Sequence, residues 1–230
     1  MLFRSLALIG ALAASSFAAA ADGAAASPWK EGTHYFKVEP AVPSDVPAGK
    51  IEVTEVFSYG CPACNLYNPL MQQVRKALPA NAVMTYVPAS FKTNEDWPMF
   101  QRAYFAAQAL GIADRTHQPM FDAVWKTGEL ENIDSQTHRL KSPQPTIEQA
   151  AQAYARWTGV KPADFVAMAN SFSVDAKMRA ADEQIMVMQV PGTPCIIVNG
   201  RYRIADEITH GPPARLVAVV RFLVARDSAH

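Results

Sequence analysis

The sequence predicts an α/β fold in which one sheet-containing domain is interrupted by an inserted all-helical domain. The first observation is the order of the predicted elements, which is β-β-α-β, then a block of helices, then β-β-α. The second is an early helix crossover between two strands, which implies that these strands pair in parallel. The third is size, because 230 residues, half of them hydrophobic, suffice for one domain with a large insertion.

The first 21 residues have the features of a secretory signal peptide, and we exclude them from the fold. Met1–Arg4 is a short basic segment, Ser5–Phe17 is apolar, and Ala18–Ala21 offers small residues for cleavage. The apolar run is short for a bilayer span, which disfavours the alternative of an uncleaved anchor. We therefore expect an exported, periplasmic protein whose mature chain begins with flexible residues 22–32.

Charge and cysteine content narrow the function further. The chain carries 21 basic and 21 acidic residues without a basic block, so we expect no binding to nucleic acid. Export places the thiols in an oxidising compartment, where small stapled domains carry many cysteines. This chain has only three, two of them in one motif, which favours redox chemistry over structural disulfides.

The elements before the insertion are predicted from the pattern of apolar residues. Residues 33–38 are expected to form an edge strand, and residues 50–57 a central strand that becomes continuously apolar. A helix is predicted over 62–78, with Leu66, Leu70, Val74 and Leu78 on its buried face. The next strand covers 83–87.

The remaining elements are mostly helices. Asp96 is expected to cap a helix that ends at Gly111, and further helices are predicted over 118–126, 146–158, 164–170 and 174–188. Thr146-Ile147-Glu148-Gln149 has the pattern of a capping box. Aromatic residues at helical spacing in this block are interpreted as core. A hairpin with an Asn199-Gly200 turn and a helix from Pro212-Pro213 to about 225 complete the chain.

Two cysteines separated by two residues lie where the central strand meets the first helix. In Cys61-Pro62-Ala63-Cys64 the thiols can alternate between a dithiol and a disulfide. Cys61 is at the helix start, where unpaired N–H groups and the helix dipole favour a thiolate, so we predict that it is the attacking thiol. Pro62 suits the first helical position. Cys64, one turn inside the helix, is then the buried resolving thiol.

A zinc site and a merely structural disulfide are the alternatives for this pair. Zinc sites of this spacing normally need a second ligand pair, but the sequence offers only Cys195 and five scattered histidines. A disulfide that closes so short a loop would constrain the unfolded chain little. We therefore expect redox chemistry that needs neither a metal nor an organic cofactor.

The order of these features along the chain is similar to that of a known family. It consists of the export signal, the strand followed by Cys61–Cys64, the helical insertion, Thr193-Pro194 and the Asn199-Gly200 hairpin. This combination resembles the DsbA-type thiol:disulfide oxidoreductases of the thioredoxin fold over about residues 33–225. The resemblance implies a thioredoxin-like domain formed by 33–93 and 190–226, with 94–189 as the helical insertion domain.

The resemblance also implies roles for residues around the cysteines. It implies a cis Pro194 beside Cys61, although a trans bond is the default from the residues alone. The backbone of Thr193 would then pair with an extended substrate. Glu55 would be a buried acid that accepts the proton of Cys64, while strand alternation alone leaves open a carboxylate facing solvent.

Three positions depart from the family pattern. Ala63 stands where the best-known DsbA has a histidine, so we expect a less oxidising couple, with Cys61 still acidified by the helix start. The strand over 83–87 lacks the lysine that often pairs with the buried acid. Cys195 is interpreted as a small buried strand residue, and a third thiol that reshuffles disulfides is the alternative.

The resemblance implies a periplasmic enzyme that introduces disulfides into exported proteins. The reaction would pass through a mixed disulfide at Cys61, and a DsbB-type membrane partner would reoxidise the pair. The protein is expected to act as a monomer. Two alternatives stay open: a disulfide reductase or isomerase of the same fold, and a substrate-binding chaperone whose thiols are incidental.

Overall fold

The strands form one mixed sheet in the computed structural model, which describes residues 27–228. The predicted signal peptide and residues 22–26 lie outside this range. The described strands are β1 (Tyr35–Lys37), β2 (Ile51–Phe57), β3 (Ala82–Pro88), β4 (Cys195–Val198) and β5 (Tyr202–Ile204). Their order is β1-β5-β4-β2-β3, in which β2 and β3 are parallel and the other neighbours antiparallel. The sheet and the thioredoxin-like α/β class therefore agree with the sequence prediction.

Helices occupy most of the remaining described chain. They are α1 (Pro62–Ala77), α2 (Trp97–Ala109), α3 (Ala113–Trp125), α4 (Ile147–Thr158), α5 (Pro162–Ala169), α6 (Phe172–Val187), α7 (Asp206–Thr209) and α8 (Pro213–Asp227). Five of them, α2 to α6, follow β3 and precede β4, where the sequence predicts a block of helices. None of the helices in the described range is both long and apolar enough to cross a bilayer.

Helix α1 buries a different face from the one predicted at its first turns. Cys64, Asn68 and Met71, at positions i, i+4 and i+7, are buried. Leu66 lies two residues from the first two of these, on the opposite side of the helix, and is 74% exposed. Its prediction as a buried residue is therefore wrong, whereas Leu70 is buried as expected.

Two helix starts differ in detail from those predicted. Asp96 occupies the N-cap position of α2 as predicted, but its φ is 56° and its side chain makes no capping hydrogen bond. Helix α3 begins at Ala113, well before the predicted start at residue 118, and it continues through Pro119. The short helix α7 was not predicted, because four residues are too few to show a helical period.

Local features that depend on a few neighbouring residues were predicted correctly. Thr146 and Gln149 form the reciprocal capping box at the start of α4. Asn199 and Gly200 have φ values of 51° and 61°, and this pair of positive values is the requirement of a type I′ turn between β4 and β5. The packing face of α8 also agrees with the prediction.

Aromatic side chains fill the space between the sheet and the helices that follow β3. Edge-to-face contacts join Phe57 of β2 to Tyr59, Tyr86 and Tyr104, at centroid distances of 5.0, 5.9 and 5.5 Å. The buried rings of the helical block thus belong to the core, as predicted. This aromatic cluster lies directly behind the turn that carries the cysteines.

Candidate active site

A tight turn between β2 and α1 places Cys61 at the helix start. The N–H of Cys61 donates to the Ser58 carbonyl over 3.1 Å. Gly60 has no room for a side chain, because a Cβ there would lie 2.9 Å from the indole of Trp97. The Trp125 indole N–H donates to the Tyr59 carbonyl over 2.7 Å. Side chains of α2 and α3 therefore fix the shape of the turn.

The Cys61 thiol occupies the N-cap position of α1. Its Sγ accepts a hydrogen bond from the backbone N–H of Cys64 at 3.3 Å and lies 3.4 Å from the Thr193 carbonyl. Hydrogen bonds from the Cys64 thiol, the Thr193 side chain and the N–H groups of Cys64 and Ala63 lower the pKa of Cys61 to about 6, against the effect of burial. The predicted attacking thiol is thus the acidic one.

Cys64 has the opposite character. Its side chain is completely buried, and burial, followed by the hydrogen bond to Cys61, raises its pKa well above the ordinary range. The three cysteines, all within the described range, are free thiols in this structure. The pair therefore combines one thiol that ionises easily with one that holds its proton.

The segment before β4 lies against Cys61. The Thr193–Pro194 peptide bond is cis, as the resemblance implies, and the Thr193 carbonyl lies within hydrogen-bond distance of the Cys61 thiol. Cys195 follows as the first residue of β4, paired with Val56 of β2, and it is 1% exposed. Burial raises the pKa of Cys195 to about 12, in keeping with its interpretation as a core residue.

Glu55 lies in the interior of the sheet and not at its surface. It faces Tyr86 of β3 in parallel register and Ile196 of β4 in antiparallel register, and it is 1% exposed. Its Oε2 has no hydrogen-bond partner within residues 27–228. Burial, and then the Cys61 charge, raise the pKa of Glu55 to about 8, so the carboxyl is mostly protonated at neutral pH.

His117 was not predicted as a residue of this region, and the fold brings it into the aromatic cluster. Its Nδ1 lies 3.1 Å from the Tyr59 hydroxyl, and its ring centroid is 4.5 Å from that of Tyr86. Burial lowers the pKa of His117 to about 4, so the ring is neutral at neutral pH. The signal was present, because His117, Met120, Phe121 and Val124 have the spacing of one buried helix face.

Comparison of the chain with known proteins finds a matching family model and relatives of similar sequence. The family model described as "DSBA-like thioredoxin domain" matches residues 52–211. The chain is 31% identical over 227 residues to the thiol:disulfide interchange protein DsbA of Pseudomonas syringae pv. tomato, covering 98% of this chain and 97% of that protein. The DsbA of Bordetella parapertussis is 31% identical over 216 residues, covering 94% and 95%.

Solved structures give the same result. The crystal structure of the oxidoreductase DsbA from Xylella fastidiosa is similar with a TM-score of 0.73 and 32% identity, covering 86% of this chain and 97% of that one. The Pseudomonas aeruginosa DsbA crystal structure has a TM-score of 0.71 at 28% identity, covering 87% and 95%.

Proposed function

The chain belongs to the DSBA-like thioredoxin domain family and is a thiol:disulfide oxidoreductase that introduces disulfides, and we propose that it does so through the Cys61–Cys64 pair. The observation that carries this assignment is the contrast between the two thiols. Cys61 has a pKa of about 6 and lies beside Thr193, whereas Cys64 is buried with a raised pKa. A stable thiolate is a good leaving group, and this favours reduction of the enzyme and oxidation of the substrate.

The reaction begins from the Cys61–Cys64 disulfide. A substrate thiolate attacks Cys61 Sγ, the Cys61–Cys64 bond breaks, and its electron pair goes to Cys64 Sγ, which takes up a proton. A second substrate thiolate attacks the substrate sulfur of the mixed disulfide and releases Cys61 as a thiolate. The substrate leaves with one new disulfide, and the enzyme is left with two more electrons.

Glu55 supplies the proton that Cys64 needs. A bare thiolate at Cys64 would be a buried charge without compensation, which is costly. The Glu55 carboxyl is protonated at neutral pH because its pKa is about 8, and it lies near enough to raise the pKa of Cys64. When the reduced pair is reoxidised, Glu55 first releases its proton to solvent, and its carboxylate then accepts the proton of Cys64.

The residues around the pair have supporting roles. Thr193, which precedes Pro194, binds an extended substrate through its backbone, in the manner of an added strand. Pro62 occupies the first turn of α1 without loss of a hydrogen bond, and Ala63 contributes its N–H to the thiolate.

For the domains, we assign residues 33–93 and 190–226 to the redox domain and residues 94–189 to the helical insertion.

The reaction is placed in the periplasm, where a membrane partner restores the disulfide. The support for this proposal is the predicted signal peptide of residues 1–21 together with the similarity to thiol:disulfide interchange proteins DsbA. Exported proteins with reduced cysteines are the substrates. A quinone-linked partner of the DsbB type is the reoxidant that fits the family.

The redox equilibrium of the pair tests this direction. We would equilibrate a Cys195→Ala variant with a series of glutathione ratios and measure the reduced fraction by alkylation. We expect a potential more oxidising than the glutathione couple. A strongly reducing, thioredoxin-like value would assign the protein as a reductase instead. A Cys61→Ser variant that still forms disulfides in a reduced substrate would overturn the assignment of the site.

A further inference from the structure

The buried Glu55 carboxyl has one polar side chain directly beside it on the sheet. Tyr86 is its partner in the parallel register of β2 and β3, so the two side chains leave the sheet on the same face from strands about 4.8 Å apart. Tyr86 is only 8% exposed. Neither its hydroxyl nor Glu55 Oε2 has a hydrogen-bond partner within residues 27–228. Two buried polar atoms without partners on paired residues are uncommon, because each costs free energy.

An ion pair at the protein surface continues the row beyond Tyr86. The Arg75 guanidinium of α1 lies 3.2 Å from the Asp114 carboxylate of α3, and their side chains are 40% and 77% exposed. Arg75 also lowers the pKa of Tyr86, which indicates that the guanidinium faces the phenol. These side chains therefore form a row from the sheet interior to solvent, in the order Glu55, Tyr86 and the Arg75–Asp114 pair.

We propose that Tyr86 is a positioning residue for Glu55: the Tyr86 hydroxyl donates to the Glu55 carboxylate when that group ionises and connects it to solvent at the Arg75–Asp114 pair. The inference rests on the proposed role of Glu55 as the proton donor and acceptor for Cys64. When Cys64 leaves the disulfide, it takes the proton of Glu55, and the carboxylate regains a proton from solvent along the row. On reoxidation the proton travels in the opposite direction, so Tyr86 is unchanged after each cycle.

A phenol suits this position because it stays neutral. Burial and the Glu55 charge outweigh Arg75 and raise the pKa of Tyr86 to about 12. A neutral hydroxyl donates one hydrogen bond and accepts another, so it can pass a proton without holding a charge. The other groups that face this region are Cys61 at the N-cap of α1, Cys64 of α1, Tyr59 of the turn, Tyr104 of α2 and His117 of α3. Of these, only the Cys61 thiolate is charged at neutral pH.

The test is the Tyr86→Phe variant, which removes the hydroxyl and keeps the ring. The reaction of the oxidised enzyme with a reduced two-cysteine peptide would be followed in single turnovers by acid quenching and alkylation, across a range of pH. We expect the rate to fall about tenfold at neutral pH, because part of general acid catalysis is lost. The rate of the wild-type enzyme should also decline where Glu55 ionises. If the phenol donates to the ionised carboxylate, its loss in Tyr86→Phe makes that carboxylate less stable, so this decline should move to higher pH.

Two controls separate this proposal from the role of Glu55 and from a packing defect. Tyr202→Phe removes the hydroxyl of a tyrosine of β5 with similar burial, and it should leave both rate and pH profile unchanged. Glu55→Gln should slow the reaction more than Tyr86→Phe. If Glu55→Gln is slow but Tyr86→Phe equals wild type in rate and profile, the proposal fails and the role of Glu55 stands. If Glu55→Gln also equals wild type, the role of Glu55 fails as well.

Arg75→Gln provides a second measurement that does not depend on the core packing of Tyr86. It removes the cation at the outer end of the row, where the side chain is 40% exposed, so the fold should tolerate the change. We expect the same reaction to slow at neutral pH, while alkylation of Cys61 in the reduced enzyme keeps its pH midpoint. An unchanged reaction rate in Arg75→Gln would contradict the assigned exit at this pair.

Discussion

Replacing Cys64 by alanine should make Cys61 markedly less acidic. The hydrogen bond from the Cys64 thiol is the largest single cause that lowers the pKa of Cys61 to about 6. A hydrogen bond to a charged group contributes about 1.5–3 kcal/mol, and one pKa unit corresponds to about 1.4 kcal/mol. The pKa of Cys61 should therefore rise to between about 7 and 8 in Cys64→Ala. It should not reach 9.0, the ordinary value, because the backbone N–H groups of Cys64 and Ala63 remain.

The measurement is the ultraviolet absorbance of the thiolate as a function of pH, with the rate of alkylation as a second readout. Both would be made in a Cys195→Ala background, so that one thiol titrates in Cys64→Ala. Cys64→Ser is the matched control, because its hydroxyl is still a donor, and its midpoint should stay near that of the wild-type thiol. A midpoint of Cys64→Ala near 6 would show that the thiol bond is unimportant. A midpoint near 9.0 would refute the contribution of the helix start.

Three further predictions concern the same region. Cys61→Ser should abolish disulfide formation in a reduced substrate, whereas Cys195→Ala should retain it, because that thiol is buried with a pKa of about 12. Gly60→Ala should lower the free energy of unfolding by about 1–3 kcal/mol in chemical denaturation, because its Cβ would lie 2.9 Å from Trp97. In the oxidised protein, stability should fall as pH rises above 4.5, because Glu55 keeps its proton when folded but loses it when unfolded; Glu55→Gln should remove this slope.

The fold could be predicted because its signals are local and mutually consistent. The capping box at Thr146 and the Asn199-Gly200 turn each depend on a few neighbouring residues, and the structure confirms both. The helix crossover between β2 and β3 fixes parallel pairing through chain length alone. The prediction that Leu66 is buried was wrong, because a four-residue spacing does not by itself fix which face of a helix is buried. The packing around Cys64 decides which face that is.

The electrostatics of the site could be predicted only in part. A helix start beside Cys61 is visible in the sequence, and so is the expectation of an acidic thiol. The sequence did not show which way the Glu55 side chain faces. Both faces of a central strand are covered, so alternation no longer separates buried from exposed positions. Tyr86 and His117 approach the site from β3 and α3, and no sequence spacing reports a contact between separate elements.

The residue at position 63, here Ala63, influences how strongly oxidising the Cys61–Cys64 couple can be. A histidine at this place would add a positive charge near the Cys61 thiolate, and alanine cannot. Yet the causes that lower the pKa of Cys61 to about 6 are the Cys64 thiol, the Thr193 side chain and backbone N–H groups, which an alanine at position 63 leaves intact. At neutral pH Cys61 is therefore mostly ionised, while Cys64 is protonated and buried. Because this stabilises the reduced state of the pair, we expect electrons to flow from substrate thiols to the enzyme, with a smaller driving force than a histidine at position 63 would give.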